Sequence, residues 1–355
     1  MKNYYVVILA GGAGTRLWPI SRKHLPKQFY QFGNQKSLFQ ETYQRVKKLV
    51  PKNHIYIALI ERYKEIAQKQ LPEIPAANFL IEGESKNTGP AIGLMAAYFY
   101  QKNPKAIVAT ISSDHTIRKV NNFQKALRAN FRFVKTHPDY LATMGVKPSR
   151  PETGFGYIKM AKNIPNRPQY LAEKFIEKPN LRNARRFLKS PKYLWNVCYF
   201  TWATETILLH YQKLAPKIYQ GIKKIIPLYN RKNSQKQINF LYQKMPNQSF
   251  DTLIVEKMKK IVTYPADLDW SDIGSWKTLS EKLASSQKDL ARNHIGVDNQ
   301  NCFFISSNRL LATVGLRDIV IVDTEDAILV CNMHQSQNVK KVLKILEKQK
   351  KLKYL

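Results

Sequence analysis

The chain has 355 residues, 44% hydrophobic and 23% charged, and its 58 Lys and Arg against 25 Asp and Glu give a net charge of +33. This composition excludes a largely disordered chain, and the length predicts two domains, or one large α/β domain with an appendage. Cations interrupt every apolar segment before it reaches the roughly 20 residues of a membrane span. The N-terminus lacks a signal-peptide cleavage pattern, and the cysteines have neither metal-site nor disulfide spacing. We therefore expect a cytoplasmic protein.

Strand and helix patterns alternate in the first half of the chain. Apolar, β-branched segments predict strands, and apolar residues at every third or fourth position predict helices. The predicted strands cover residues 4–10, 54–60, 106–115 and 141–146. The predicted helices include residues 37–50 with Ser37 as N-cap, a helix opened by Pro90, and a helix from about Phe123 to Val134. This alternation predicts βαβ units in a Rossmann-like, mostly parallel sheet.

The second half has a different pattern. Residues 205–262 are predicted to be largely helical, and short strands at close spacing follow from about Asn293 to Cys331. We therefore expect a large α/β domain over residues 1–285 and a small β-rich, β-helix-like domain over residues 286–355. The last segment, Asn338–Leu355, predicts a basic amphipathic helix that docks on its own domain, with binding to a membrane surface as the alternative.

Glycines and cations follow the first predicted strand. Gly11, Gly12 and Gly14 come directly after it, and Arg16 and Lys27 lie farther along. Glycine lets the backbone approach a ligand closely, and successive N–H groups can bind phosphate oxygens. The spacing matches neither the Rossmann dinucleotide fingerprint nor the Walker A loop. Two cations beside a glycine turn favour a nucleoside triphosphate as the ligand, whereas the glycines alone are also typical of a tight turn.

The same segment carries further distinctive residues. The pairs Trp18-Pro19 and Ser21-Arg22 and the segment Pro26–Phe29 follow the glycines. Together they resemble the signature of the sugar-1-phosphate nucleotidyltransferases, in the mannose-1-phosphate guanylyltransferase branch. Matches to that branch continue over about the first 340 residues, through IEGESKNTGPAI, SSDH, TGFGYI, KFIEKP, FDTLIVEK, PADLDWSDIGSW and LRDIVIVDTEDAILV. Longer members add a phosphomannose isomerase domain, so we expect this chain to have the transferase activity alone.

The resemblance implies a reaction, a cofactor and partners. Members of this branch transfer GMP from GTP to α-D-mannose 1-phosphate with the help of Mg²⁺, and the products are GDP-mannose and pyrophosphate. The nucleophile is a sugar phosphate whose second pKa is near ~6, so it is already anionic at neutral pH and needs no general base. We expect GTP, mannose 1-phosphate and Mg²⁺ as ligands, and a homodimer. Because the positive charge is dispersed along the chain, we expect no specific nucleic-acid partner.

Two carboxylates are the candidate metal ligands. Asp114 ends a predicted buried strand, and ligands of open α/β sheets bind beyond the carboxyl ends of the strands. Mg²⁺ prefers oxygen ligands and commonly takes one or two carboxylates together with substrate phosphates. Asp272 is the expected second ligand, as the resemblance also implies, and Asp267 and Asp269 are its rivals. We expect His115 to be a neutral neighbour of the site, since its nitrogen suits hard Mg²⁺ poorly.

The resemblance also implies roles for other residues. Arg16 and Lys27 are expected to bind the phosphates of GTP and the leaving pyrophosphate, and Lys178 the sugar phosphate, so that catalysis consists of positioning and charge stabilisation. The further predicted contacts to nucleotide and sugar are Gly11, Gly12, Gly14, Thr15, Glu84, Asn87, Thr88, Gly89, Ser113, Gly145, Glu177 and Asn196.

The sequence departs from the branch pattern at two places. Val197 and Cys198 stand where the branch has Ser-Gly, and the larger Cys198 is expected to crowd the hexose. In the predicted base loop, Gly83, Lys86 and Gly89 replace Pro, Arg and Ala. Two alternatives therefore stay open. One is the same chemistry on another sugar 1-phosphate or nucleoside triphosphate, and the other is a weakly active relative that binds nucleotides or polyanions.

Overall fold

The chain folds into two structural units, and each unit draws on separated parts of the sequence. A computed structural model describes residues 3–12, 14–31, 36–229, 231, 233–282, 289–291, 293–306 and 309–355. The larger unit comprises Met1–Gly11, Thr42–Ser112 and Ile117–Trp270, and the smaller one Gly12–Glu41, Ser113–Thr116 and Ser271–Leu355. The domain boundary predicted at residues 285 and 286 lies outside the described residues and stays a prediction.

A nine-stranded sheet forms the centre of the larger unit. Its strands are β1 (Tyr4–Leu9), β2 (Ile55–Ile60), β3 (Phe79–Glu82), β4 (Ile107–Ser112), β6 (Leu141–Val146), β7 (Tyr157–Asn163), β8 (Tyr170–Ile176), β9 (Tyr193–Ala203) and β10 (Ile261–Pro265). A short pair, β5 (His115–Ile117) with β11 (Trp270–Asp272), is separate from it. The strand order is β3-β2-β1-β4-β9-β6-β10-β8-β7. The four strands predicted from apolar runs are confirmed, with ends shifted by a few residues.

The nine-stranded sheet is mixed in direction, so the parallel arrangement expected from the sequence holds for only part of it. β3, β2, β1 and β4 are parallel neighbours, as are β6 and β10. The pairings of β9 with β4, β6 and β7, and those of β8 with β7 and β10, are antiparallel. The parallel part corresponds to the strand–helix alternation, because parallel neighbours need long crossovers. The antiparallel part begins where the sequence pattern changes character.

Helices cover the sheet of the larger unit. They are α2 (Lys64–Gln70), α3 (Thr88–Lys102), α4 (Val120–Thr136), α5 (Leu181–Leu188), α6 (Thr204–Leu214), α7 (Pro216–Ile225), α8 (Gln235–Gln243) and α9 (Phe250–Leu253), while α1 (Leu38–Val46) crosses the division between the units. Large side chains such as Phe99, Trp202 and Tyr211 are fully buried in the core. Ser37 precedes α1, and its Oγ accepts a hydrogen bond from the Gln40 N–H at 3.2 Å, which confirms the predicted N-cap.

Short strands build the smaller unit. β12 (Asp289–Ala291), β14 (Phe303–Ser306), β16 (Ile319–Asp323) and β17 (Ile328–Asn332) form one sheet, and β13 (His294–Val297) and β15 (Leu311–Val314) form another. All of these pairs are parallel except β16 with β17. The parallel stacking of such short strands is the β-helix-like arrangement that the sequence predicts.

The C-terminal segment docks on the smaller unit, as predicted. The helices of this unit are α10 (Trp276–Lys282) and α11 (Val339–Lys348), and Val339 is buried in the same core as Trp18 and Trp276. The Nε1 of Trp18 and the Nη1 of Arg22 both donate to the Tyr354 carbonyl at 2.6 Å. Two residues of the N-terminal signature therefore stabilise the docking of the C-terminal segment.

No helix within the described part of the chain is long and apolar enough to cross a bilayer.

Candidate active site

Three charged residues from distant parts of the sequence meet in the smaller unit. The ammonium of Lys27 lies 2.9 Å from Asp114 Oδ2 and 3.2 Å from Asp272 Oδ1. It also donates to the Ile273 carbonyl at 2.9 Å. The lysine side chain is 8% exposed, whereas Asp114 and Asp272 are 31% and 24% exposed, so solvent reaches the carboxylates but hardly the amine. We call Lys27, Asp114 and Asp272 the ion cluster.

Contacts within the ion cluster keep Lys27 and Asp114 charged. Burial alone would lower the pKa of Lys27, but the two carboxylates outweigh it and raise the pKa to about 12. Burial would likewise raise the pKa of Asp114, yet the Lys27 ammonium and the neighbouring His115 hold it well below its usual range. At neutral pH Lys27 is therefore a cation and Asp114 an anion.

The glycine turn lies against this cluster. Gly14 has a φ of 59°, in the left-handed region, and a Cβ at this position would overlap the side chain of Lys27. Gly12 differs, because a Cβ there would meet no atom of the described residues within 4 Å. Glycine is thus required by the fold at Gly14, while the exposed Gly12 leaves its backbone accessible to a ligand.

A cavity of about 230 Å³ surrounds the ion cluster. Thr15 and Arg16 line it together with Gly14 and the three charged residues, and both are exposed. Arg16 Nη1 donates to the Gly274 carbonyl at 3.3 Å, which directs the guanidinium along the cavity wall. The structure therefore brings together Gly14, Thr15, Arg16, Lys27, Asp114 and Asp272, all of which the sequence singled out.

The rival carboxylates have other partners. Asp267 forms an ion pair with Lys119, and Asp269 Oδ2 lies 3.8 Å from Arg118 Nη1. The Nε2 of His115, which is 7% exposed, lies 3.7 Å from Asp114 Oδ1, in accord with its predicted place as a neighbour. Ser113, a predicted contact, is also buried, at 2% exposure. Of the three candidates for second ligand, Asp272 is the one that shares a cation with Asp114.

The predicted base loop, Glu84–Gly89, lies at the start of α3 in the larger unit. The Asn87 side chain accepts from the Thr88 N–H at 2.9 Å and caps the helix. The Thr88 Oγ1 accepts from the Phe250 N–H at 2.9 Å. The Ser85 Oγ lies 3.3 Å from the Gly11 carbonyl, so Gly11 and this loop are neighbours. Asn87 and Thr88 thus have local structural roles, and their contacts to a base stay predictions.

The unusual residues of this loop all contact α8 and the segment after it. A Cβ at Gly83 would overlap the ring of Tyr242, and one at Gly89 would overlap the Gln248 carbonyl. The Lys86 ammonium donates to the carbonyls of Gln243 and Met245 at the C-terminal end of α8, where a cation is favourable. Packing against α8 and the segment after it therefore accounts for all three departures from the branch pattern.

Glu82 is a buried carboxylate that the sequence reasoning missed. It ends β3, is 4% exposed, and accepts a hydrogen bond from the Tyr242 hydroxyl at 3.0 Å. Burial raises the pKa of Glu82 to about 7, against the opposing effect of that hydrogen bond. A Cβ on Gly11 would lie 3.6 Å from Glu82 Oε1, so this carboxylate borders the glycine turn. Its one sequence signal is a charge at the end of an apolar strand.

The residues predicted to bind the sugar lie together in the larger unit. Gly145 of β6 pairs directly with Asn196 of β9, and a Cβ at Gly145 would overlap Leu194. Lys178 has a φ of 43°, and its exposed ammonium lies 2.7 Å from Glu177 Oε1. A strained backbone is frequent at functional sites. Lys178 is therefore the member of this group that projects charge toward solvent or a ligand, whereas the side chain of Glu177 is 12% exposed and pairs with it.

The side-chain amide of Asn196 already forms its hydrogen bonds within the protein. Its Oδ1 accepts from the Thr143 hydroxyl at 3.2 Å and from the Cys198 N–H at 3.1 Å, and its Nδ2 donates to Asp251 Oδ1 at 2.9 Å. With 2% exposure and these bonds in place, the amide has little capacity left for a ligand. Asn196 therefore positions its neighbours, and the sequence-based expectation of a direct sugar contact stays a prediction.

Asp251 is the second buried carboxylate that the sequence did not reveal. It is 6% exposed on α9, and besides Asn196 it faces the thiol of Cys198, with Sγ and Oδ1 3.8 Å apart. Burial, reinforced by the charge of Glu177, raises the pKa of Asp251 to about 7. The segment FDTLIVEK matched the branch as a whole, but its pattern does not indicate that the aspartate is buried.

Cys198 occupies a backbone conformation that favours glycine. Its φ is 56°, within the left-handed region that costs an L-residue about 1–2 kcal/mol. The branch glycine at this position is thus explained by backbone conformation as well as by the space for a hexose. The thiol is half-buried and points toward Asp251, so its contacts partly offset the strain.

Comparison with known proteins places the chain among nucleotidyl transferases. A family model described as nucleotidyl transferase matches residues 5–289, and one described as a MannoseP isomerase/GMP-like beta-helix domain matches residues 292–346. Mannose-1-phosphate guanylyltransferase 2 of Escherichia coli O157:H7 is 32% identical over 98% of this chain and 74% of its own. The xanthan biosynthesis protein XanB of Xanthomonas campestris pv. campestris strain B100 is 33% identical over 97% of this chain and 73% of its own.

Solved structures share the fold. A crystal structure described as mannose-1-phosphate geranyltransferase from Thermus thermophilus has a TM-score of 0.85 at 24% identity and covers 97% of this chain and 99% of that chain. Mannose-6-phosphate isomerase from Helicobacter pylori has a TM-score of 0.62 at 26% identity and covers 76% of this chain and all of its own. The first of these likenesses extends over both structural units and therefore supports the fold of the whole chain.

The raised pKa of Asp251 predicts a pH-dependent stability. An unfolded Asp loses its proton near pH ~4, whereas the folded one keeps it to about pH 7, so the folded state binds the extra proton between these values. The free energy of unfolding therefore falls as the pH rises through this window, by on the order of 1.4 kcal/mol per pH unit, and stays lower above it. Asp251→Asn should make this fall shallower in urea unfolding measured across the window.

The control for that measurement is Asp267→Asn. This side chain is 70% exposed and should leave the pH dependence of unfolding as in the wild type. Glu82 contributes a fall of the same sign, so the slope of Asp251→Asn should be reduced without vanishing. A slope equal to that of the wild type would contradict the assignment of a raised pKa to Asp251.

The strained backbone at Cys198 predicts an order of stability between two variants. Cys198→Gly removes both the thiol contacts and the left-handed penalty, whereas Cys198→Ala removes the contacts and keeps the penalty. The glycine variant should be more stable than the alanine variant by about 1 kcal/mol, since the greater freedom of unfolded glycine cancels part of the gain. Urea unfolding at one pH measures the difference. Equal or greater stability of the alanine variant would show that this residue carries no backbone strain.

Proposed function

The chain belongs to the nucleotidyl transferase family, within its mannose-1-phosphate guanylyltransferase branch, and from this premise we propose that it transfers GMP from GTP to α-D-mannose 1-phosphate. The products of this reaction are GDP-mannose and pyrophosphate. The observation that carries the proposal is the ion cluster in its cavity beside the glycine turn. Cations and paired carboxylates at such a turn suit a metal-assisted reaction of a nucleoside triphosphate.

The ion cluster fits a magnesium site. Two carboxylate oxygens lie 2.9 and 3.2 Å from one cationic atom, the Lys27 Nζ, so they already converge on a position for positive charge. Within the described residues there is no group of three or more His, Cys, Asp or Glu side chains that could hold a metal. The protein thus supplies Asp114 and Asp272, and the remaining ligands come from phosphates and water, as is usual for Mg²⁺.

The chemistry is an in-line displacement at the α-phosphorus of GTP. The attacking phosphate is dianionic and the nucleotide carries several negative charges, and each pair of unit charges at ~4 Å costs about 1 kcal/mol even in water. Arg16 and Lys27 offset this repulsion and stabilise the leaving pyrophosphate. Bound Mg²⁺ would neutralise phosphate charge and polarise the group that is transferred. Neither a covalent enzyme intermediate nor a general base is required.

Residues of the larger unit serve recognition in this proposal. Gly11 and the base loop hold the guanine, and Lys178 binds the phosphate of the sugar. Glu177 pairs with Lys178 and is available to a sugar hydroxyl, while Asn196 and Asp251 position this group. In the smaller unit, Gly12, Gly14 and Thr15 border the triphosphate in this proposal. Assembly as a homodimer and a cytoplasmic location remain predictions.

A substrate panel tests the proposal. We expect rapid pyrophosphate release from GTP with mannose 1-phosphate, and slower release with glucose 1-phosphate, galactose 1-phosphate, ATP, UTP or dTTP. Because Cys198 occupies the place of a glycine beside the sugar residues, Cys198→Gly measures whether this side chain sets the sugar preference. Faster pyrophosphate release with another sugar phosphate would support the same type of reaction but would identify that sugar phosphate as the substrate. Absence of release with every pair would favour a nucleotide-binding relative without the activity.

Removal of either carboxylate from the ion cluster should abolish most turnover. Asp114→Asn and Asp272→Asn each remove one charged ligand, and we expect kcat to fall by about 100-fold or more, with a higher requirement for Mg²⁺. Asp269→Asn is the matched control, since Asp269 is close in sequence but pairs with Arg118. Turnover is measured across a magnesium titration. A cluster variant with wild-type turnover at limiting Mg²⁺ would remove that aspartate from the site.

A further inference from the structure

A basic cavity lies on the larger unit, and no residue assigned a role in the proposed reaction lines it. Its volume is about 490 Å³. The lining comes from one side of α4, from the turn that contains Arg167, and from Tyr264 of β10. Four of the lining residues are cations, namely Lys125, Arg128, Arg132 and Arg167, and none is acidic. We call this feature the α4 cavity.

The positive charge of the α4 cavity has no counter-charge among the residues that the structure describes. α4 contains no Asp or Glu over its whole length, and Lys125, Arg128 and Arg132 are spaced three and four residues apart, so they share one face of the helix. Within that part of the chain, none of the four cations has a carboxylate within 4.0 Å. Like charges on neighbouring positions repel one another, so a bound anion would stabilise their convergence.

The backbone of the turn that carries Arg167 is held in place. The Arg167 N–H donates to the Ile164 carbonyl at 3.0 Å, and the Ile164 N–H donates to the Gln169 carbonyl at 3.1 Å, which closes the turn. Gln169 is 1% exposed, and its Nε2 donates to Asn130 Oδ1 on α4 at 3.2 Å. The turn and the helix are thus joined at the floor of the cavity. The backbone that carries Arg167 therefore needs little reorganisation when a ligand binds between it and the α4 cations.

We propose that the α4 cavity binds a small, multiply phosphorylated molecule. Arginine forks and lysine match phosphate oxygens in charge and geometry. The volume lies within the range of about 300–1,000 Å³ that is typical of small-molecule sites, whereas a nucleic acid would need an extended track. Asn121, Asn166 and the half-buried ring of Tyr264 offer hydrogen bonds and an aromatic face to the remainder of the ligand. This site goes beyond the proposed function and uses none of its residues.

The competing explanation is the general charge of the chain. With a net charge of +33, many surface patches attract phosphate weakly. At physiological salt of about 0.15 M, charges farther apart than roughly 8 Å are largely screened, so such weak attraction is lost. A specific binding site keeps its affinity for the ligand at this salt concentration, because several cations contact the ligand at once. A charge-matched pair of variants at physiological salt separates the two explanations.

The experiment compares Arg128→Gln/Arg132→Gln with Lys223→Gln/Lys224→Gln. Both variants lose two exposed cations, the first pair from the α4 cavity and the second from α7, where neither lysine lines the cavity. Calorimetric titrations with inorganic pyrophosphate and with GDP are run on the full chain in physiological salt. We expect wild type and the α7 variant to show two binding events, one of them outside the ion cluster. The cavity variant should lose one event or bind it at least about tenfold more weakly.

Several outcomes of these titrations would contradict or refine the proposed binding at the α4 cavity. A single binding event in the wild type that persists unchanged in the cavity variant, or equal weakening in both variants, would overturn the proposal, whereas a single event that only the cavity variant loses would support it and count against the ion cluster instead. Tighter binding of a short RNA that displaces pyrophosphate from the cavity would replace it with a polyanion surface. If GDP binds there more tightly than pyrophosphate, the ligand includes a nucleoside, and equal affinities indicate recognition of the phosphates alone. Matching urea midpoints of the two variants exclude misfolding, and the binding test does not depend on any turnover.

Discussion

The candidate site in the smaller unit depends on the contact of one buried ammonium with two carboxylates. Asp114 and Asp272 come from distant parts of the sequence and would repel each other across a partly shielded cavity without Lys27. The lysine in turn is tolerable at 8% exposure because the two anions compensate its lost hydration. This contact also dictates its surroundings. The stem of Lys27 fills the space that a side chain at position 14 would need, so that position is glycine.

The same contact prepares the site for catalysis. Lys27 remains protonated up to a pKa of about 12, and it keeps Asp114 ionised far below neutral pH. A divalent cation therefore meets an Asp114 carboxylate that need not lose a proton first. Preorganised charges also lower the cost of reorganisation during phosphoryl transfer. In this way an interaction that stabilises the fold supplies the electrostatics that the proposed reaction needs.

Sequence reasoning succeeded where chemistry is concentrated in short segments. Lys27, Asp114 and Asp272 each stand in a distinctive motif beside a strand end or turn, so their convergence was predictable from the architecture of α/β sheets. It did not succeed for Glu82 and Asp251. Both are carboxylates whose pKa is raised by burial among elements that are distant in the sequence. An aspartate or glutamate in an apolar segment does not indicate how deeply its side chain is buried in the folded protein. The division into two interleaved units was likewise absent from local patterns.

The departures from the branch pattern have local physical causes of two kinds. Gly83, Lys86 and Gly89 contact α8 and the segment that follows it, so these three positions form one coherent set in which a small residue or a cation suits each neighbour. At Cys198 the neighbouring residues do not relieve the backbone strain, because an L-residue with a φ of 56° is strained in any surroundings. What it gains is a thiol directed at the buried Asp251. The departures in the base loop thus share one packing environment, whereas of the two departures near the sugar residues, Val197 and Cys198, Cys198 is the strained one. A strained side chain among the predicted sugar residues is the kind of change that alters specificity, so Cys198 is the position at which this chain would set its sugar preference.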